Sequence, residues 1–200
     1  DGPAARAWLQ AGCRSVFLQD SNSLILPPGD LETILLHLRA SFPSVERVTS
    51  YARSQTVARI SDEDLARLRA AGLNRIHIGL ESGCDAVLER VRKGADQANH
   101  IRSGQKVKRA GIELSEYYMP GLGGRELSRQ HALDSAKALS CIDPDFIRLR
   151  TLALPDGLEL ADEAARGRFA PLGDREVAEE LLLLLEALTG ITSRVVSDHI

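Results

Sequence analysis

The chain has 200 residues, a formal charge of -3 from 25 Lys and Arg against 28 Asp and Glu, 44% apolar and 26% charged residues. These values suit one globular domain with a sizeable core and exclude a disordered chain, a collagen-like chain and a polybasic nucleic-acid arm. The longest apolar run, Leu181 to Leu185, falls far short of the roughly 20 residues of a membrane span, so a cytoplasmic protein with no membrane association is expected.

Short β-rich runs alternate with helical stretches along the chain. Ser15 to Gln19 is followed by a helix over Asp30 to Ala40, stopped by Pro43. Arg47 to Tyr51 precedes a helix over Ser61 to Ala71, with Ser61 as N-cap and Gly72 as C-cap. Arg75 to Leu80 precedes a helix over Gln97 to Ala110, closed by Gly111; Ile112 to Met119 precedes one over Ser128 to Ser140; Phe146 to Leu152 is the last run. The spacing is about 30 residues, the length of one strand–helix unit. Beyond Pro155 the alternation stops, and Leu158 to Arg166 and Glu176 to Leu188 read as two further helices. The expected organisation is therefore a strand–helix domain over 1–157 and a helical extension over 158–200.

The faces of the strands choose between architectures. In Arg75 to Glu81, Ile76, Ile78 and Leu80 share one face while Arg75, His77, Gly79 and Glu81 share the other. Arg148 and Arg150 oppose Ile147 and Leu149 in the same way, and Thr49, Tyr51 and Arg53 share a face. A parallel strand covered by helices on both sides reads apolar on both faces, so an α/β barrel or partial barrel with a polar lumen is expected rather than a doubly wound sheet. Polar and Gly-rich segments follow the strands, while the opposite connections are short turns such as Ala71-Gly-Leu-Asn74. In strand–helix barrels the site sits at the strand C-terminal ends.

Several chemistries are absent from the pattern. Cys13, Cys84 and Cys141 are scattered, which fits a reducing compartment and offers no Cys-x-x-Cys clip. His77 and Glu81 on one strand lie about 13 Å apart at roughly 3.3 Å per residue, too far to share a metal ion. His37, His100 and His131 fit exposed or half-buried helix faces, and no Ser-His-Asp set is indicated. Pro120-Gly-Leu-Gly-Gly124 offers backbone N–H groups to an anion or serves close packing.

The ordered segments Phe17-Leu-Gln-Asp-Ser-Asn-Ser-Leu24, Arg47-Val-Thr-Ser-Tyr51, Ser61 to Gly72 and Ile76-His-Ile-Gly-Leu-Glu-Ser-Gly83 carry a resemblance. With Lys93-Gly94, Lys106-Val-Lys-Arg-Ala-Gly111 and Tyr118-Met-Pro-Gly-Leu-Gly-Gly124, they resemble the core of a radical S-adenosylmethionine enzyme. The similar branch contains anaerobic coproporphyrinogen oxidases, methylthiotransferases and the Elongator catalytic subunit, and the resemblance covers about residues 5 to 157.

The resemblance implies a partial TIM-type (β/α)6 barrel, here with five of six parallel strands plus C-terminal helices. It implies S-adenosylmethionine bound beside a [4Fe-4S] cluster and cleaved reductively to a 5′-deoxyadenosyl radical that abstracts hydrogen from a substrate. It further implies an external electron donor such as flavodoxin or ferredoxin. The family's Cys-x-x-x-Cys-x-x-Cys loop does not occur here, and iron–sulfur ligation needs those thiolates. The first strand and cluster loop are therefore expected upstream of Asp1, no metal ligand is expected within this chain, and the chain alone is expected to be inactive.

By position, Gln19, Asp20 and Ser21 stand where the family has a Gly-Gly-Glu-like stretch that receives the methionine amino group; the glycines are absent, which leaves Asp20 as acceptor. Glu81 and Ser82 stand near the nucleoside position, Lys93 where relatives meet the methionine carboxylate, and Tyr117 where several relatives place an Asp on the ribose. Tyr51 and Arg150 join them at the lumen end of their strands. Each residue also has a plain structural reading: a helix cap for Glu81, a solvated helix-end cation for Lys93, an Asx turn for Asp20. A non-catalytic barrel binding a nucleoside or anion at the strand tips is the second reading. A metal-independent aldolase is the third, disfavoured because Lys93, Lys106, Lys108 and Lys137 all read as helical. Relatives act on porphyrins, tRNA bases and peptides, so the substrate stays open, and the charge balance argues against tRNA unless another domain supplies contacts.

Overall fold

In the computed structural model, which describes residues 2–197, six parallel strands run in strict chain order across one sheet. The first half contains α1 (Pro3–Gln10), β1 (Ser15–Leu18), a 3-10 turn over Ser23–Ile25, α2 (Pro28–Ser41), β2 (Arg47–Ala52), α3 (Ser54–Arg59), α4 (Asp62–Ala71) and β3 (Leu73–Glu81). The second contains α5 (Asp85–Arg90), α6 (Gln97–Arg109), β4 (Glu113–Tyr118), α7 (Gly124–Ile142), β5 (Phe146–Leu149), α8 (Glu159–Ala165), α9 (Asp174–Ala187) and β6 (Arg194–Ser197). No helix among the described residues is long and apolar enough to cross a membrane.

Sequential order has a physical consequence. Every right-handed crossover moves the chain one strand in the same direction, so successive helices land on the same face of the sheet. Accordingly α2, α4, α6, α7 and α9 each pack against the next. Beneath them Ile76, Ile78, Leu80 and Ile147, read as apolar-face residues in the sequence, are wholly buried, as is Leu114 of β4. Each such side chain contributes roughly 1.5–3 kcal/mol relative to exposure. A doubly wound sheet would reverse its strand order and carry helices on both faces. The architecture is the expected partial strand–helix barrel, with one face left to polar residues.

Local signals behave as their chemistry dictates. Ser61 Oγ accepts from the Asp64 N–H at 3.0 Å and opens α4, while Gly72 closes it at φ 118°, a conformation glycine takes without a Cβ penalty. Asp96 caps α6 by accepting from the Asn99 N–H at 2.7 Å.

Three expectations are corrected. A sixth strand, Arg194–Ser197, pairs with β5 in the region read as helical; four residues with two valines are too short to show a strand period in the sequence. Residues past 157 enter the main core through Leu184 on α9. The run Phe146 to Leu152 leaves the sheet after Leu149; the Arg150 N–H still donates to the Tyr118 carbonyl at 3.0 Å, and residues 150–158 then continue as an irregular segment. Finally, α7 begins at Gly124 rather than Ser128, because Gly124, at φ 61°, lets the Gly-rich turn enter the helix directly beneath the Phe169 ring.

The histidines differ as well. His37 is exposed as expected, but His100 and His131 have no exposed surface. Burial, helped by the positive charge of Lys93, pushes His100 down to about 4. A helix with apolar neighbours on three sides buries whatever stands between them, and the sequence pattern does not show which histidine that is.

Candidate functional site

The strand C-terminal ends converge on one cavity of about 630 Å³. Its wall takes Gln19, Asp20 and Ser21 from beyond β1, Tyr51 and Arg53 from β2 and its end, and Gly79 and Glu81 from β3. Lys93, Tyr117 of β4 and Arg150 complete the ring. Eight of the nine residues singled out from sequence therefore share one pocket. The ninth, Ser82, does not: it is fully buried on the helix side, where its Oγ lies 2.8 Å from His131 Nδ1. Ser82 falls in step with Ile76, Ile78 and Leu80, the buried helix-side face of β3, and opposite Glu81; the β3–β4 register shifts between Gly79 and Glu81 just before it.

Glu81 and Lys93 form the centre of the pocket. Lys93 Nζ lies 3.4 Å from Glu81 Oε1, and the two side chains are 28% and 22% exposed. Contrary to its helical reading from sequence, Lys93 lies outside any helix; it follows α5 in a turn, its N–H donates to the Leu88 carbonyl, and Gln55 of α3 donates to its carbonyl at 3.2 Å. Gly79 makes room for the pair. A Cβ there would press on Glu81 Oε1 and stand 3.0 Å from Lys93 Nζ. Glu81 Oε2 is buried without a hydrogen-bond partner, and an unsatisfied carboxylate oxygen at a pocket wall is an acceptor awaiting a donor.

Below this polar layer the lumen is aromatic. Phe17, Tyr51, His77 and Tyr117, one from each of β1 to β4, lie with neighbouring ring centroids 5.0 to 6.4 Å apart. The Arg150 guanidinium sits over the Tyr117 ring at 5.3 Å, a cation–π arrangement that holds it toward the cavity. Arg53, Arg92, Lys93 and Arg150 outnumber Asp20 and Glu81 in the lining, so the pocket favours a ligand with an anionic group. Asp20 takes φ 88°, and its Oδ1 accepts from the Ser21 N–H at 2.6 Å, the local turn expected of it.

Arg53, Gln55 and Arg92 line the pocket without having been singled out. Arg53 shared the lumen face with Tyr51 in the sequence and was legible there. Gln55 was not, because α3 has no side-chain cap or periodic signature. Lys106, read as an ordinary helix lysine, instead donates to the carbonyls of Ala58 and Ile60 with 12% of its side chain exposed; it ties α6 to the end of α3.

The residues present fit S-adenosylmethionine and do not fit an iron–sulfur cluster. A methionine carboxylate suits Lys93 and the arginines, and an amino or hydroxyl donor suits Glu81 Oε2 and Asp20. By contrast, no group of three or more His, Cys, Asp or Glu among the described residues is arranged to hold a metal ion. Cys84 is buried, Cys13 half-buried and Cys141 exposed, on three separate parts of the fold.

Comparison with known proteins agrees with this geometry. The sequence pattern of the Radical SAM superfamily matches residues 4–136. Two curated relatives, the tRNA uridine(34) acetyltransferases of Methanocaldococcus infernus and Methanocaldococcus jannaschii, are 23% and 21% identical over 121 and 119 residues, or 60% and 59% of this chain. The chain spans only 22% of the length of either. Among solved structures, Methanocaldococcus infernus Elp3 with an N-terminal deletion superposes with TM-score 0.73 and 14% identity, over 98% of this chain and 50% of that one. Coproporphyrinogen III oxidase from Escherichia coli follows with TM-score 0.64 and 14% identity, over 86% and 40%. With its strand order, one-sided helix layer and matched residues taken together, the chain belongs to the radical SAM superfamily.

Proposed function

We propose that this chain is the S-adenosylmethionine-binding part of a radical enzyme, with the cofactor seated in the strand-tip pocket between Glu81 and Lys93. The observation that carries the reading is the buried Glu81 Oε2 without a hydrogen-bond partner, beside a lysine, at the end of β3. Held by Lys93, Glu81 and Asp20, S-adenosylmethionine would supply the 5′-deoxyadenosyl group for radical hydrogen abstraction, given an electron from a [4Fe-4S] cluster that the described residues of this chain do not ligate. Lys93 binds the methionine carboxylate, Glu81 accepts from the nucleoside or amino group, and Asp20 accepts at the rim. Arg150 holds the edge of the pocket against the Tyr117 ring. Cluster thiolates and the electron donor, of flavodoxin or ferredoxin type, are assigned to parts outside this chain. The curated relatives are named for a tRNA uridine; a chain of charge -3 has no basic excess for an RNA backbone, so such a substrate requires contacts supplied elsewhere.

The test is calorimetric titration of the full-length protein with S-adenosylmethionine. Lys93→Ala is expected to weaken binding about ten- to a hundredfold, the effect of losing a charge-assisted contact of roughly 1.5–3 kcal/mol. Lys137→Ala, at an exposed position on α7, is expected to leave it unchanged. Lys106→Ala is unsuitable as a control, because that ammonium bonds buried carbonyls. Equal affinities for the Lys93 and Lys137 variants would sink the assignment.

A further inference from the structure

Behind the strand tip that carries Glu81 lies a buried polar network that the pocket does not use. Tyr118, on the helix side of β4, stacks on His131 of α7 with ring centres 4.7 Å apart, and its hydroxyl donates to Glu180 Oε1 at 3.0 Å. The Gly121 N–H donates to the same oxygen at 2.8 Å, and Ser128 Oγ donates to Oε2 at 2.5 Å. Three donors from β4, the following turn and α7 thus converge on one carboxylate of α9. Ser82 and His131 have no exposed surface, and Glu180 has 3%.

The hydrogens of the network can be assigned from the acceptors. His131 Nε2 lies 3.1 Å from the Met119 carbonyl oxygen, which only accepts, so Nε2 carries the hydrogen. Burial pushes the His131 pKa below its ordinary value, outweighing the opposing charge of Glu180, so the ring is neutral and Nδ1 is a bare acceptor. Ser82 Oγ, 2.8 Å away, therefore donates to Nδ1 and accepts from the Cys84 N–H at 2.9 Å. A serine, a histidine and a carboxylate in contact suggest a nucleophile, but with no exposed surface on Ser82 no substrate reaches it.

What the network does hold is the backbone of Glu81. That residue takes φ 60°, a conformation a non-glycine residue keeps only where its surroundings over-determine it. The Ser82 N–H donates to the Leu80 carbonyl at 2.7 Å, closing a three-residue turn centred on Glu81, and the Glu81 carbonyl accepts from the Met119 N–H at 3.1 Å. Both neighbours of that turn, Ser82 and Met119, are gripped by the two nitrogens of the same imidazole. We infer that His131 is a positioning residue: through Ser82 and Met119 it holds Glu81 in its strained turn, with its carboxylate over Gly79 beside Lys93, and α9 braces the strand and helix that carry the grip through Glu180. The functional consequence rests on the reading of the pocket as an S-adenosylmethionine site; the conformational one does not.

Ser82→Ala removes one hydroxyl and little volume, so it tests the grip without emptying the core. In the crystal structure of the full-length Ser82→Ala protein, Glu81 is expected to relax to negative φ and its carboxylate to leave Lys93. By titration with S-adenosylmethionine, Ser82→Ala is expected to weaken binding about tenfold in the native background and less than about twofold when Glu81→Gln is already present, since coupled residues are non-additive. Gly104→Ala, which disturbs the α6–α7 contact instead, controls for lost stability and is expected to leave affinity unchanged. A Glu81 that keeps its turn and its lysine in the Ser82 variant, or an equal loss of affinity in both backgrounds, overturns the inference. If the native protein binds no S-adenosylmethionine while Glu81 still swings away in the variant, the positioning role stands and the cofactor reading fails.

Discussion

Glu81 and Glu116 sit on adjacent strands and face opposite environments. Glu81 turns to the pocket and meets a lysine, whereas Glu116, on the helix side of β4, is wholly buried. Burial pushes the Glu116 carboxyl well above its usual 4.5, and the positive charge of Lys93 only partly opposes it. The sign of the linkage follows. Above pH 4.5 the unfolded carboxyl loses its proton while the folded one keeps it, so folding must take up a proton and stability falls as pH rises toward the folded value. Glu116→Gln removes that dependence. Its melting temperature is expected to match the native protein near pH 4 and to exceed it by a margin that widens as pH rises above 4.5 toward the raised folded value, read by calorimetry; a margin independent of pH would contradict the account. The Ile112 to Met119 strand was legible in the sequence as a β-rich run, but one carboxylate within such a run does not announce a dry environment, and Glu116 was not legible there. Glu81 was, because its whole strand face was polar.

At the scale of elements, periodicity and caps carried well where the signals are chemical. Ser61, Gly72 and Gly111 mark helix ends in the sequence and do so in the structure. Short elements such as α3 and β6 have too few residues for a period to show, and their existence depends on what they pack against. The α6–α7 contact illustrates a constraint that only packing imposes. Gly104 lies in the middle of α6, where alanine is favoured by about 1 kcal/mol on propensity alone. A Cβ there would come 2.6 Å from Ile142 Cγ2, with two more Ile142 atoms within 3.2 Å, and overpacking of this kind costs about 1–3 kcal/mol. The packing term is the larger, so Gly104→Ala is expected to lower the urea midpoint without changing the slope of the transition. A rise in the midpoint would show that Ile142 yields freely and that propensity wins.

For the whole molecule, the residues beyond 157 are part of the core rather than an appendage. Leu184 of α9 is fully buried in the main cluster, Glu180 receives the Tyr118 hydroxyl, and β6 completes the sheet. Removal of residues 158–200 exposes the α7 surface beneath α9 and leaves the Tyr118 hydroxyl, the Gly121 N–H and Ser128 without their acceptor, at about 1–3 kcal/mol for each group that stays buried. The truncated chain is expected to lose its cooperative thermal transition, whereas an unchanged transition would establish 1–157 as an independent unit.

The sequence by itself determined the fold class, five of the strands and the end of the sheet where the cavity opens. Those follow from a period of two in the strands, caps on the helices and polar residues gathered after each strand, all of which are local. Only the tertiary structure decided that Ser82 and His131 meet in the core behind Glu81, that Lys106 is a tie rather than a surface charge, and that the last strand exists at all. Each of these depends on partners tens of residues away in the chain, and contact between distant segments leaves no period, cap or spacing in the residues on either side.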